Sequence, residues 1–245
     1  MKEKFKTFMT QELNREELPL KESQIEQFFE YYQMIIEKNK VMNLTAITEL
    51  EDVIIKHFID SLSLIRAFPM EEKMENGLVK MIDIGTGAGF PGIPLKIVFP
   101  DLNITLLDSL NKRVIFLNEV IEQLHLVQIE AVHGRAEDFG RNDKFREKYD
   151  LCVSRAVANL STLSEYCMPF VKKGGYFISY KSGKLEEELL KGRKAVKKLG
   201  GVIEEIVTFT LSNSNERSLV KVRKTENISK TYPRKAGLPL KEPLG

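Results

Sequence analysis

Met81-Ile-Asp-Ile-Gly-Thr-Gly-Ala-Gly-Phe-Pro-Gly92 is an apolar run carrying one acid that breaks into glycines at every second position. The run up to Ile84 reads as a buried strand, and a helical pattern resumes within a few residues. Gly85, Gly87 and Gly89 let the backbone turn tightly and approach a ligand with no Cβ in the way. In an open α/β sheet such a turn lies at the carboxyl edge of the first strand, beside the point where the strand order reverses.

Outward from this turn the chain alternates. Apolar runs at 79–84, 104–108, 127–132, 149–154 and 176–181 are separated by helix-like stretches near 89–99, 110–123, 159–168 and 183–199. Strands alternating with helices predict a parallel sheet covered on both faces. Runs at 202–210 and 218–223 follow with no helix between them, which predicts a hairpin at the sheet edge. Upstream, Ile25, Phe28, Phe29, Tyr32, Ile35 and Ile36 recur at helical steps, and a second amphipathic helix is expected over 51–68. The expected organisation is a helical extension packed on the core (1–70), an α/β core (71–225) and a basic tail containing proline and glycine (226–245).

The ligand class follows from the glycine spacing. A dinucleotide turn needs G-x-G-x-x-G with a pyrophosphate on the helix N-terminus. Here the third glycine comes one place early, and Phe90 stands where it belongs. The G-x-G-x-G form after the acid Asp83 suits a ligand without phosphates, such as S-adenosylmethionine. Asp108 ends the second strand about 20 residues past the loop, where an acid accepts ribose hydroxyls; it also reads as a cap on the next helix. Gly134-Arg-Ala-Glu-Asp-Phe139 follows the third strand and would border an adenine. Glu137 and Asp138 equally suit the first turn of a short helix.

Composition bounds the rest. With 42% hydrophobic and 29% charged residues in 245, the chain reads as an ordinary globular protein. Cys152 and Cys167 sit in apolar segments without metal-ligand spacing, so no metal and a reducing, cytoplasmic setting are expected. No signal core and no apolar run of about 20 residues is present, so no membrane span is expected. A net charge of +2 permits a nucleic-acid partner without demanding one.

In combination, Asp83-Ile-Gly-Thr-Gly-Ala-Gly-Phe-Pro-Gly92, Asp108-Ser-Leu-Asn-Lys-Arg113, Arg135-Ala-Glu137 and Ser154-Arg-Ala-Val157 resemble the bacterial 16S rRNA guanine-N7 methyltransferases, the RsmG family, formerly called glucose-inhibited division protein B. Asn43-Leu-Thr45, His57-Phe-Ile-Asp-Ser61 and Tyr232-Pro-Arg-Lys235 match as well, so the resemblance spans nearly the whole chain. It implies a doubly wound, mainly parallel seven-stranded sheet of the class I S-adenosylmethionine-dependent methyltransferase type. It also implies methyl transfer to N7 of a guanine in the 530 loop of 16S rRNA, with 16S rRNA, the 30S subunit or an assembly intermediate as partner; a monomer is expected rather than an oligomer. Cofactor contacts carry over to Gly85, Phe90, Ala136, Glu137 and Arg155, and a pocket wall to Asn43 and His57.

The chemistry suits these residues. Guanine N7 has an in-plane lone pair and no proton, so direct in-line displacement needs alignment and a preorganised field rather than a general base. Methylation at pyrimidine C5 would need a cysteine nucleophile, and Cys152 and Cys167 read as packing residues. The Asn/Asp-Pro-Pro-aromatic loop of amine methylation is replaced by Ser154-Arg155. Arg155 ends the fourth strand, to position cofactor, phosphate or guanine O6, or else to form a surface ion pair. Lys181 ends the fifth strand, at the pocket rim or simply solvated. Electrostatic RNA contacts are expected among Lys172, Lys173, Lys184, Arg234 and Lys235. The basic run 191–198 has an alternative account as the C-terminal half of a helix that starts with acids.

Overall fold

Two apolar clusters, one on each face of a single seven-stranded sheet, hold the molecule together. The computed structural model describes every residue except Asn76, Leu78, Ala156, Val157 and Lys184. In chain order, α1 (Lys2–Arg15) and α2 (Glu22–Met42) precede a continuous helical run. That run begins as α3 (Leu50–Val53), widens into a π-helical turn (Ile54–Ile59), narrows through α4 (Asp60–Leu62) and ends as a 3-10 turn (Ser63–Arg66). After α5 (Met70–Glu75), strand and helix alternate: β1 (Lys80–Ile84), α6 (Gly92–Val98), β2 (Asn103–Asp108), α7 (Asn111–Gln123), β3 (Ile129–His133), α8 (Ala136–Phe139), β4 (Tyr149–Arg155), α9 (Leu160–Cys167), β5 (Val171–Ser182) and α10 (Glu186–Lys198). The chain ends with β6 (Gly201–Thr210), β7 (Glu216–Lys224) and α11 (Leu238–Lys241).

The strand order is β3-β2-β1-β4-β5-β7-β6, parallel from β3 to β5, with β7 inserted antiparallel between β5 and β6. Side chains alternate faces along each strand. Met81, Leu106, Leu151 and Val153 therefore join the cluster beneath α6 and α7, while Ile82, Leu107 and Cys152 join the one beneath α9 and α10. The chain leaves β1 toward β2 and β3 and then returns to β4, which puts the crevice at the carboxyl ends of β1 and β4.

The N-terminal helices share the first cluster. Phe5, Phe28, Tyr31 and Phe58 are fully buried, with ring centroids of Phe28 and Tyr31 at 5.0 and 5.6 Å from Phe58. Two sequence expectations are corrected here. The stretch over 51–68 is not one regular helix, because its turn at Ile54–Ile59 opens to π geometry and leaves main-chain carbonyls to a side chain from β4. β5 starts at Val171 rather than near 176, so Lys172 and Lys173 belong to its amino end. The basic tail is anchored: Ile228, Pro239 and Leu244 are buried, and Arg146 donates to the carbonyls of Ile228, Ser229 and Tyr232.

Candidate active site

The glycine turn is held from below by Asp83. Its Oδ2 accepts from Thr86 Oγ1 at 2.7 Å and from the Gly92 amide at 2.9 Å, while the buried Oδ1 has no partner. Burial pushes this carboxyl up to about 7, against the lowering effect of those two hydrogen bonds. Asp83 thus shapes the loop from within the core. The glycines divide by role. Gly85 and Gly87 adopt positive φ (71° and 65°), and the space around Gly87 is open. Gly89 faces the N-terminal helices instead: a Cβ there would lie 2.7 Å from Tyr31 Oη and 2.5 Å from Ile93 Cδ1. Packing and a φ of 106° both require glycine there.

Asp108 stands two residues ahead of Leu110, the N-cap of α7. Its Oδ2 accepts from the Gly87 amide and its Oδ1 from the Leu110 amide, each at 2.9 Å, with Arg113 at 3.5 Å. The carboxylate ties the end of β2 to the glycine turn and opens α7, and it retains lone pairs for hydroxyl donors. Beside it lies a cleft of about 390 Å³ over the ends of β1, β2 and β3, lined by Gly85, Leu110, Ala136 and Glu137. Tyr166, Gly237 and Leu240 complete its wall, and nothing in the strand pattern pointed to these three. Glu137 stands in the first turn of α8 and is buried, with Oε1 accepting from the Gly237 amide at 2.8 Å.

A second cleft, of about 650 Å³, lies on the other side of the β1–β4 pair. Arg155 enters it from the end of β4. Nη1 donates to the carbonyl of Lys56 at 3.0 Å, to that of His57 at 3.4 Å and to Asp60 Oδ2 at 3.0 Å. Nη2 lies 3.2 Å from His57 Nδ1, and the guanidinium carbon is 4.9 Å from the Phe90 ring centre. The widened π turn is what frees two carbonyls for one guanidinium. Asp60 Oδ1 accepts from Arg217 Nε at 3.1 Å, so one buried carboxylate joins two arginines from β4 and β7.

His57 stacks on Phe90 at 4.5 Å, and its Nε2 meets Thr45 Oγ1 at 2.8 Å. Desolvation first, and the neighbouring Arg155 second, depress its pKa to about 3. The geometry agrees: Nδ1 accepts from Arg155, leaving the proton on Nε2 to donate to Thr45. Phe90 is therefore enclosed by His57, Arg155 and Tyr31, and its ring is absent from the lining of either cleft.

Several expected residues lie elsewhere. Asn43 is the exposed, left-handed C-cap of α2 (φ 42°), where it ends a helix; Thr45, two residues on, makes the contact to His57. Lys181 lines the second cleft but is engaged, donating to the Ala158 carbonyl at 2.7 Å and pairing with Glu188 at 2.5 Å. Lys172 pairs with Asp150, and both Lys172 and Lys173 sit at the amino end of β5, roughly 30 Å of strand from Lys181. Arg234 is locked onto Glu165, which is fully buried, through Nε and Nη2 at 2.9 and 2.6 Å. Lys172 and Arg234 are thus engaged in ion pairs, and Lys172 and Lys173 stand at the opposite end of β5 from the clefts. Lys235 remains exposed, and Lys184 lies outside the described residues. Burial raises the Cys152 thiol well above its ordinary range, as expected of a packing cysteine.

A sheet of this order, with a glycine turn and strand-end acid at the switch point and a second cleft beside it, defines a class I methyltransferase fold. Among solved structures, one assigned as a sarcosine dimethylglycine methyltransferase of Galdieria sulphuraria superposes with a TM-score of 0.51 at 14% identity, covering 68% of this chain and 86% of that one. That likeness speaks for the fold alone. The chain belongs to the family described as rRNA small subunit methyltransferase G, whose model matches residues 24–220. Relatives named ribosomal RNA small subunit methyltransferase G include those of Lachnoclostridium phytofermentans (56% identical over 228 residues, 93% of this chain and 92% of that one) and Desulforamulus reducens (51% over 229 residues, 93% of each).

Proposed function

We propose that the chain binds S-adenosylmethionine in the 390 Å³ cleft and methylates N7 of a guanine in the 530 loop of 16S rRNA, presented in the 650 Å³ cleft. The cofactor, when bound, supplies an electrophilic methyl group on a sulfonium. The first cleft suits it: Asp108 and Glu137 keep acceptor capacity, and the apolar faces of Leu110 and Leu240 suit an aromatic base. The fold's switch point and the family assignment support the same reading.

One observation carries the acceptor assignment. Among the described residues lining the second cleft, each acid and the histidine has a partner. Both nitrogens of His57 are engaged, both oxygens of Asp60 hold arginines, and Oε1 of Glu188 meets Lys181 and the Leu160 amide. Such engaged groups suit a nucleophile that has no proton to lose, and guanine N7 is one. The charge suits RNA. Lys56, Arg155, Lys181 and Arg217 face the cleft against Asp60 and Glu188, with His57 neutral.

The proposed division of labour keeps to these side chains. Arg155, fixed by four contacts, is a rigid wall of the second cleft, and its remaining N–H donors are available to a phosphate or to guanine O6. Arg217 and Lys56 hold the RNA backbone. The test is incorporation of labelled methyl from S-adenosylmethionine into 30S subunits prepared from cells lacking the endogenous methyltransferase. Label is expected in 16S rRNA; label on a small-molecule or protein acceptor alone would overturn the substrate assignment.

A further inference from the structure

The C-terminal segment carries more anchoring than an end of chain requires. Glu165, fully buried in α9, accepts from the Arg234 amide at 2.7 Å as well as from its guanidinium. Thr162 Oγ1 donates to the Pro239 carbonyl at 3.1 Å, and Glu137 takes the Gly237 amide. These anchors bring α11 to the rim of the cleft over β1–β3. At that rim Pro239 is buried, yet its neighbour Leu240 is 62% exposed.

Leu240 has a counterpart. Leu110, at the start of α7, is 43% exposed and lines the same cleft. Single exposed leucines need no explanation. Two on one concave surface, one from the core and one from a segment pinned by a buried ion pair, form an apolar site awaiting a planar ligand.

We propose that the C-terminal segment is a wall of the cofactor site and that Leu240 is a cofactor-binding residue, packing on the adenine ring. The proposal rests on reading this cleft as the S-adenosylmethionine site. It explains why Glu137 is drawn to the Gly237 amide: the acid expected beside the adenine also positions the segment that covers it. Cofactor affinity then depends on residues more than 100 positions from the glycine turn.

The test is calorimetric. S-adenosylmethionine and 5′-methylthioadenosine, which shares the adenosine but lacks the amino-acid end, are titrated into the full-length protein, into Leu240→Ala and into Lys241→Ala. Losing most of one leucine contact predicts roughly five- to thirty-fold weaker binding of both ligands to Leu240→Ala. Lys241→Ala is expected to bind like the wild type, and the ligand-free Tm of all three proteins to agree. A Leu240→Ala protein that binds both ligands like the wild type overturns the wall while leaving the site. A wild type that binds neither overturns the cleft assignment and this inference with it.

Discussion

Tyr31 Oη donates to the main-chain carbonyl of Ala88 at 2.5 Å, joining the second helix to the glycine turn across 57 positions of sequence. Both residues are buried, and the hydroxyl fills the space that the missing side chain of Gly89 leaves open. The N-terminal helices therefore hold the glycine turn in shape and share one apolar cluster with the α/β core on which they pack.

Tyr31→Phe leaves the Ala88 carbonyl buried without its donor. The expected cost is about 1–3 kcal/mol, read as a fall in Tm of roughly 2–4 °C per kcal/mol. Because the loop is the part loosened, affinity for S-adenosylmethionine is expected to fall too. Calorimetry on the folded variant checks this; unchanged affinity would mean that the loop holds its shape without Tyr31.

Arg155→Lys keeps the charge and removes the planar fork that reaches the π-turn carbonyls, Asp60 and His57 together. An ammonium cannot satisfy that set. Methyl transfer is expected to drop by at least about ten-fold, the effect of losing roughly 1.4 kcal/mol of positioning. Asp60 stays paired through Arg217, so circular dichroism should show a folded protein. Activity equal to the wild type would remove Arg155 from the site.

His57 makes stability depend on acid pH. Its folded pKa, about 3, lies below the ordinary 6.5. Its contribution is complete above pH 6.5 and is lost as pH falls toward 3, by about 1.4 kcal/mol per unit at most. Asp83 works oppositely: its folded pKa is raised from 3.8 to about 7, so its contribution is present below 3.8 and is lost as pH rises toward 7. The difference in Tm between wild type and His57→Gln isolates the first effect. That difference should move against the wild type from pH 7 to pH 5. A constant difference would show that the histidine titrates normally.

Arg234, Lys172, Lys173 and Arg217 separate stability from RNA binding. Arg234→Ala strands the buried charge of Glu165, and breaking such a pair costs about 3–5 kcal/mol. The paired variant Lys172→Ala/Lys173→Ala, far from the clefts, should leave both Tm and the salt dependence of 30S binding as they are. Arg217→Ala should flatten that dependence by roughly one charge. Filter binding across a salt series checks all three proteins. A flatter slope in the Lys172/Lys173 variant would place RNA on the opposite edge of the sheet.

What the sequence made legible was local. The alternation of strands and helices, the turn over Gly85–Gly89 and the acid at Asp108 each follow from spacing within a few residues, and each is found in place. The hairpin of β6 and β7 was visible as two strand runs without a helix between them. What escaped depends on distant partners. Arg217 meets Asp60 across 157 positions, and Arg234 meets Glu165 across 69. Charge alone says neither which carboxylate lies opposite, as Asp150 does for Lys172 and Glu165 for Arg234, nor at which end of a strand a lysine stands. The π turn was hidden because the partner of its free carbonyls, Arg155, lies on another element.

The central claim is the atom methylated. Reacting the purified protein with S-adenosylmethionine and 30S subunits lacking the modification, then cleaving the 16S rRNA by chemistry selective for N7-methylguanine, tests it most directly. One cleavage, at a single guanine of the 530 loop and dependent on Arg155, is the predicted result. Label in 16S rRNA with no N7-selective cleavage would contradict it, since another atom would then be the acceptor.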